Sequence, residues 1–278
     1  KAGRDMASHA PKVNRLSRPA FHTVGVLPFC LGTLLAWRID HRFQPDVFFL
    51  GVFAVILIML SAYQAGEYFD LKEDTLSRRT SPSRFAGGSG VIPAGRAPRF
   101  VPLLTSVTAF LAAGAVGLLL QFHFRTGPYT LLLGVTGALP GFFYSTRPVR
   151  LVQTGLGEVF IGFCYGWLPV AAAYYIQTAG LNPLIHWIAA PIALSIVNVI
   201  LMNEFPDYEA DRRTGKRNLL FRVGKPRGRG IFIALTLLSW VGFALSLHAG
   251  VPRSALYVYG PVVLAGLVVI GMLLARRD

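Results

Sequence analysis

The chain has 278 residues, 53% of them hydrophobic and 14% charged, with a formal net charge of +14 at pH 7. A soluble domain carries about 25% charged residues, so this composition excludes an ordinary soluble domain. The cationic excess does not point to nucleic acid, because Lys and Arg are concentrated in alternate connections between long apolar runs.

In chain order, a basic N-terminal stretch leads into an apolar run at 20–37, which ends in "AWRID" without a small-residue cleavage site. That run is therefore read as a permanent span and not as a signal peptide. Further runs follow at 46–66, 100–122, 127–145, 155–177, 182–203, 230–248 and 254–275. Runs of about 20 residues cross a hydrocarbon core of roughly 30 Å, and eight core helices without a polar face do not suit a soluble protein. The expected fold is an all-α, polytopic membrane bundle of about eight helices, forming one domain over 1–278. Lys and Arg collect in the N-terminal segment, in the 67–99, 146–153 and 204–229 loops and in the C-terminal tail. The other connections hold only Arg38, Arg42, Arg125 and Arg253. The positive-inside bias then puts both termini and those loops on the cytoplasmic side. Cys30 and Cys164 lie inside apolar runs, so neither a disulfide framework nor a Cys-ligated metal is expected.

Two of the runs end in acidic segments. "GEYFDLKED" (Gly66 to Asp74) closes the second, and "NEFPDYEADRRTGK" (Asn203 to Lys216) closes the sixth. Glu67, Asp70 and Asp74 share the i, i+3, i+7 spacing of Glu204, Asp207 and Asp211, which places each set on one helix face. Asn203 stands one turn before Asp207. Clustered like charges persist when a cation neutralises them, and hard oxygen ligands suit Mg²⁺, which commonly bridges carboxylates to substrate phosphates. Arg78, Arg79 and Arg84 follow the first segment, and Arg212, Arg213, Lys216, Arg217 and Arg222 follow the second. Such groups hold phosphate oxygens directly, so the combination suits a diphosphate. The same acidic stripe recurs after four spans, which predicts two parallel four-helix repeats around a central cavity with both stripes at one mouth.

These segments resemble the UbiA-type superfamily of intramembrane prenyltransferases, whose motifs read N-D-x-x-D-x-x-x-D and D-x-x-x-D, the second often followed by G-K. The first is matched at Glu67, Asp70 and Asp74, the second at Asp207, Asp211, Gly215 and Lys216. "SRPAFHTVGVLPFCLGTLLA", "SRFAGGSGVIPAG" and "FYSTRPVRLVQTGLGE" resemble the branch that prenylates 1,4-dihydroxy-2-naphthoate. The resemblance implies Mg²⁺-dependent transfer of an isoprenyl chain from a prenyl diphosphate to a small aromatic acceptor within the cell membrane. It implies Asp70, Asp74, Asp207 and Asp211 as catalytic residues. Glu67 and Asn203 join them as metal ligands, and Arg79, Arg84, Arg147, Arg150 and Lys216 hold the diphosphate. Tyr144 and Glu158, the one carboxylate expected well inside a span, are candidates for contacting the acceptor. Tyr68, Phe69, Tyr144 and Tyr165 could stabilise an allylic cation, although ordinary packing explains each of them too. Two departures stand out: Gly66 occupies the place of the family's Asn, and eight runs stand against the family's nine, which leaves open a ninth span that is missing or was trimmed. A different acceptor, such as a lipid glycerol or another phenol, and a non-enzymatic ion site in a transporter or scaffold are the competing readings.

Overall fold

The computed structural model describes residues 16–80 and 88–275. It is helical, and each of the eight apolar runs forms a helix. These are α1 (Pro19–Asp40), α2 (Pro45–Phe69), α4 (Phe100–His123), α5 (Thr130–Phe143), α6 (Gly157–Thr178), α7 (Pro183–Thr214), α8 (Leu219–His248) and α9 (Ala255–Ala275). A short polar helix, α3 (Leu71–Thr80), follows α2 directly.

Among the described residues, seven helices are long and apolar enough to cross a membrane, one fewer than the eight runs suggest. The shorter one is α5, with 14 residues. Its start is fixed by the turn at Gly127, whose φ is +118°. A Cβ at Gly127 would stand 2.5 Å from the Tyr175 hydroxyl, and that hydroxyl accepts the Tyr129 N–H at 3.1 Å. Non-helical backbone at such a position is tolerated because protein groups satisfy it.

The helices pair laterally: α7 lies along α8, α2 along α4, and α1 along α6. Close approach of α6 to α7 depends on missing side chains. A Cβ on Gly166 would stand 2.3 Å from the Cα of Ala193, and one on Gly162 would stand 2.4 Å from Val197. This is the small-residue contact by which apolar helices associate without a hydrophobic driving force. Between Phe163 and Trp167, α6 widens into a π turn.

Two helices extend beyond their apolar runs. α7 continues for 32 residues through the second acidic segment and stops at Gly215, whose φ of 74° suits a glycine C-cap. α8 begins at Leu219, well before the apolar run at 230, and Gly224 (φ 79°, ψ 159°) interrupts it. The acidic ends of α2 and α7 thereby meet: the Ser77 hydroxyl on α3 donates to the Asp207 carboxylate on α7.

Candidate active site

The site grows from two helix ends. α2 closes at Asp70, whose φ of −98° and ψ of 16° separate it from α3. That break divides the first acidic stripe. Asp70 and Asp74 line a cavity of about 230 Å³, together with Asn203, Glu204, Asp207, Asp211 and Lys216. Further in, its walls are apolar, formed by Pro140, Ile161, Cys164, Val199 and Ile200, with the rings of Tyr63, Tyr144 and Tyr165.

Neighbours fix each acid. Asp70 accepts from the Ser145 hydroxyl at 2.5 Å and from the Arg150 guanidinium at 2.8 Å, and Arg150 also reaches Glu73 at 2.8 Å. Asp211 accepts from the Asn218 amide at 2.7 Å. Burial pushes the Asp74 carboxyl up to about 8, with Asp70 and Glu67 adding to the rise and Lys216 and Arg18 opposing it. Burial works against a charged Lys216, yet Asp70, Asp211, Asp74 and Asp207 outweigh it and hold the ammonium above the usual lysine range.

At this mouth, acids therefore outnumber cations among the described residues, of which Lys216 and Arg18 are the cations that line the cavity. Among the described residues, no three carboxylates, histidines or cysteines converge on one point that could hold an ion. That fits Mg²⁺, which is usually held by one or two carboxylates, its remaining positions going to water and substrate phosphate oxygens. The donors are hard oxygens, and added positive charge would relieve the repulsion that raises Asp74.

Several residues singled out in the sequence lie elsewhere. Glu67, at the end of α2, does not line the cavity, because its buried carboxylate is turned to other partners. There it pairs with Arg18 at 2.8 Å and accepts from the Ser89 amide at 2.7 Å and hydroxyl at 2.6 Å. Glu158 is fully buried in the first turn of α6, not deep in a span, and accepts the Leu219 N–H at 3.1 Å. It thus satisfies the start of α8 and does not line the cavity. Arg79 and Arg147 are exposed. Arg150 is buried behind Asp70 in the left-handed region, with φ 47°. Of the basic candidates, Lys216 alone lines the cavity among the described residues, and Arg84 lies outside them. The spacing argument did not single out Arg18, Ser145 or Asn218. Asn218 carried a readable signal, a capping residue directly before an apolar pair, whereas Arg18 and Ser145 are brought in only by the fold.

A model of the UbiA prenyltransferase family matches residues 26–278. The chain belongs to the UbiA prenyltransferase family. The 1,4-dihydroxy-2-naphthoate octaprenyltransferase of Bacillus subtilis is 27% identical over 212 residues, and the match spans 76% of this chain and 65% of that protein's length. The 2-carboxy-1,4-naphthoquinone phytyltransferase of Synechocystis sp. is 27% identical over 245 residues, spanning 84% and 76%. Among solved structures, a UbiA homolog from Archaeoglobus fulgidus bound to DMAPP and Mg²⁺ superposes with a TM-score of 0.71 at 15% identity. That likeness covers 95% of this chain and 87% of the other. The same protein bound to GPP and Mg²⁺ gives 0.68 at 16% identity over 95% and 87%. These likenesses establish the UbiA fold for this integral membrane chain.

Proposed function

We propose that this UbiA member transfers an isoprenyl chain from a prenyl diphosphate to a small aromatic acceptor of the dihydroxynaphthoate kind, with Mg²⁺ as cofactor. The observation that carries the reading is one cavity with two chemistries: acids from both motifs with Lys216 at its mouth, and apolar and aromatic walls beyond. Asp70, Asp74, Asp207 and Asp211, with Asn203, are the residues that would hold Mg²⁺. Glu67, committed to Arg18 and Ser89, is left out of that set. Bound there, Mg²⁺ would neutralise charge on the leaving diphosphate.

The remaining work falls to the chain itself. Lys216 offers a fixed cation to diphosphate oxygens and keeps the acids from repelling the substrate. As the allylic C–O bond breaks, its electron pair leaves with the diphosphate and the prenyl group's first carbon gains cationic character. A ring carbon of the acceptor forms the new C–C bond and sheds the group it carried without its electrons, a proton or, from a carboxylated position, carbon dioxide, which restores the aromatic ring. Pro140, Ile161, Val199 and Ile200 exclude the water that would capture that cation. Tyr144, at the boundary of the polar and apolar zones, presents a ring face to it. The mouth faces the cytoplasm of a cell membrane in this reading, in keeping with the basic connections around it.

The test is a membrane assay with labelled prenyl diphosphates and a panel of acceptors, read by mass spectrometry with and without a chelator. Prenylated naphthoate that disappears on chelation is expected. Product on a lipid glycerol or another phenol alone would replace the acceptor assignment, and no product with any acceptor would remove the enzymatic reading.

A further inference from the structure

Three consecutive N–H groups open α8, and side chains from three different places meet them. Leu219 donates to Glu158 at 3.1 Å, Leu220 to Glu204 at 3.0 Å and Phe221 to Asn218 at 2.9 Å. The first N–H groups of a helix lack partners within it. A single capping side chain commonly serves such an end, and Asn218 supplies it. Glu204 arrives from α7, whereas Glu158 arrives from 61 residues before Leu219. Glu158 is 0% exposed, and burying a carboxyl group is expensive unless it is bonded. Its second oxygen and that of Glu204 find no donor on a third residue among the described ones. The two side chains are instead hydrogen-bonded to each other, which takes one proton between them.

The segment held in this way is short and adjoins Lys216. Gly224, with φ 79° and ψ 159°, separates residues 219–223 from the rest of α8, so the long helix behind does not orient that first turn. Residues 215–218 join it to α7. Within that link the Lys216 N–H donates to the Asp211 carbonyl at 2.9 Å, and Lys216 lines the cavity. Arg222, on the separated turn, donates to the Gln153 carbonyl at 2.6 Å. Gln153 and Glu158 lie on the same stretch of chain as Ser145 and Arg150, which hold Asp70. Residues 145–158 therefore grip Asp70 of the first motif at one end and the turn beside Lys216 of the second motif at the other.

We propose that Glu158 is a positioning residue for diphosphate binding: through Leu219 and Glu204 it holds the start of α8 so that Lys216 stays aimed at the substrate. This rests on the prenyl-diphosphate reading above, in which Lys216 meets the diphosphate. Glu158 does not line the cavity, so it acts through the turn and not on either substrate.

Calorimetric titration with geranyl thiodiphosphate in the presence of Mg²⁺ separates this role from plain stability. Loss of folded protein lowers the number of binding sites, whereas a displaced Lys216 raises Kd. Glu158→Met fills similar space without an acceptor for Leu219. It should raise Kd roughly tenfold or more, as expected when a hydrogen bond to a charged group is lost, while KM for the acceptor holds its unaltered value. Glu158→Gln keeps a carbonyl oxygen for Leu219 and offers an amide donor to Glu204, so it should recover most of the affinity. Fewer sites at an unchanged Kd in Glu158→Met would make Glu158 a structural residue and overturn the proposal. A rise in acceptor KM as large as the rise in Kd, or a Gln variant as weak as the Met variant, overturns it too. If Glu158→Met aggregates on size exclusion, Glu158→Asp draws the carboxyl group back by one methylene. It then carries the test with a smaller rise in Kd, and no rise is equally decisive. An unaltered protein that binds no prenyl thiodiphosphate would instead sink the prenyl-diphosphate reading, and this role with it.

Discussion

Asp70 gathers a hydroxyl from Ser145 and a guanidinium from Arg150, and Arg150 is shared with Glu73. Asp70→Asn removes the charge at nearly constant volume and leaves Arg150 its second partner, so the fold should persist. Prenyl transfer by purified, monodisperse Asp70→Asn or Asp207→Asn protein should fall by at least about 10²–10³-fold, the worth of one preorganised electrostatic contact. The double variant should be little worse, because groups acting as one unit are non-additive. Full activity in both single variants would mean that the acids are not catalytic. Gly66 offers a gain to look for. Its nearest neighbour to an added Cβ is the Ser145 hydroxyl at 3.8 Å, and Gly66 lines the cavity, so Gly66→Asn has room for its Cβ and brings an extra oxygen to the cavity wall. Calorimetric titration of Mg²⁺ in the presence of a prenyl thiodiphosphate should show equal or tighter binding, and weaker binding would place the metal elsewhere. That Asp70, Asp74, Asp207 and Asp211 belong together at one cavity was legible because their repeat spacing stands out in an acid-poor chain. Glu67 shares that spacing but is claimed by Arg18 and Ser89, and nothing in the local pattern announces partners contributed by other segments.

Asn218 is where one helix start serves another helix's acid. Its side-chain oxygen accepts the Phe221 N–H at 2.9 Å and its amide donates to Asp211. Asn218→Ala should therefore cost about 1–2 kcal/mol, the range for a lost N-cap, and should also lower turnover by releasing Asp211. Asn218→Ser restores a capping oxygen with a shorter reach, so the melting temperature should recover while turnover does not. Recovery of both would show that Asn218 acts through the fold alone. Each apolar run announced a helix, but helix length was not readable, and the polar α3 lies in what the sequence presents as a loop. An apolar run records the thickness of hydrocarbon a segment meets, whereas caps such as Asn218 and Gly215 record where its hydrogen bonding begins and ends. That is why α8 starts ahead of its apolar run, within a stretch carrying Arg222, Lys225, Arg227 and Arg229.

Across the whole molecule, the Ser77–Asp207 contact closes one end of the bundle by joining the two acidic segments. The loop that returns from α3 to α4 and the turn between α8 and α9 should lie on opposite sides of the membrane. With Cys30 and Cys164 replaced by Ala, Ala94→Cys and Ser254→Cys, both at exposed positions, should react with an impermeant maleimide from opposite faces of sealed vesicles. Reaction from the same face would overturn the proposed topology. The even alternation of basic loops is what predicts this arrangement, because charge bias is tied to sidedness. The depth of each helix is not written there, and α5 shows the difference.

At 14 residues, α5 rises about 21 Å at 1.5 Å per residue, well short of a hydrocarbon core of roughly 30 Å. The 24-residue α4 beside it reaches about 36 Å on the same geometry. Lipids along this flank thus face a long wall next to a short one, and the bilayer meets that mismatch by thinning locally at a cost of fractions of a kcal/mol per Å. The thinned collar borders α5, so the polar boundary of the bilayer stands nearer to the midplane of the bundle on this flank than where the longer helices face lipid.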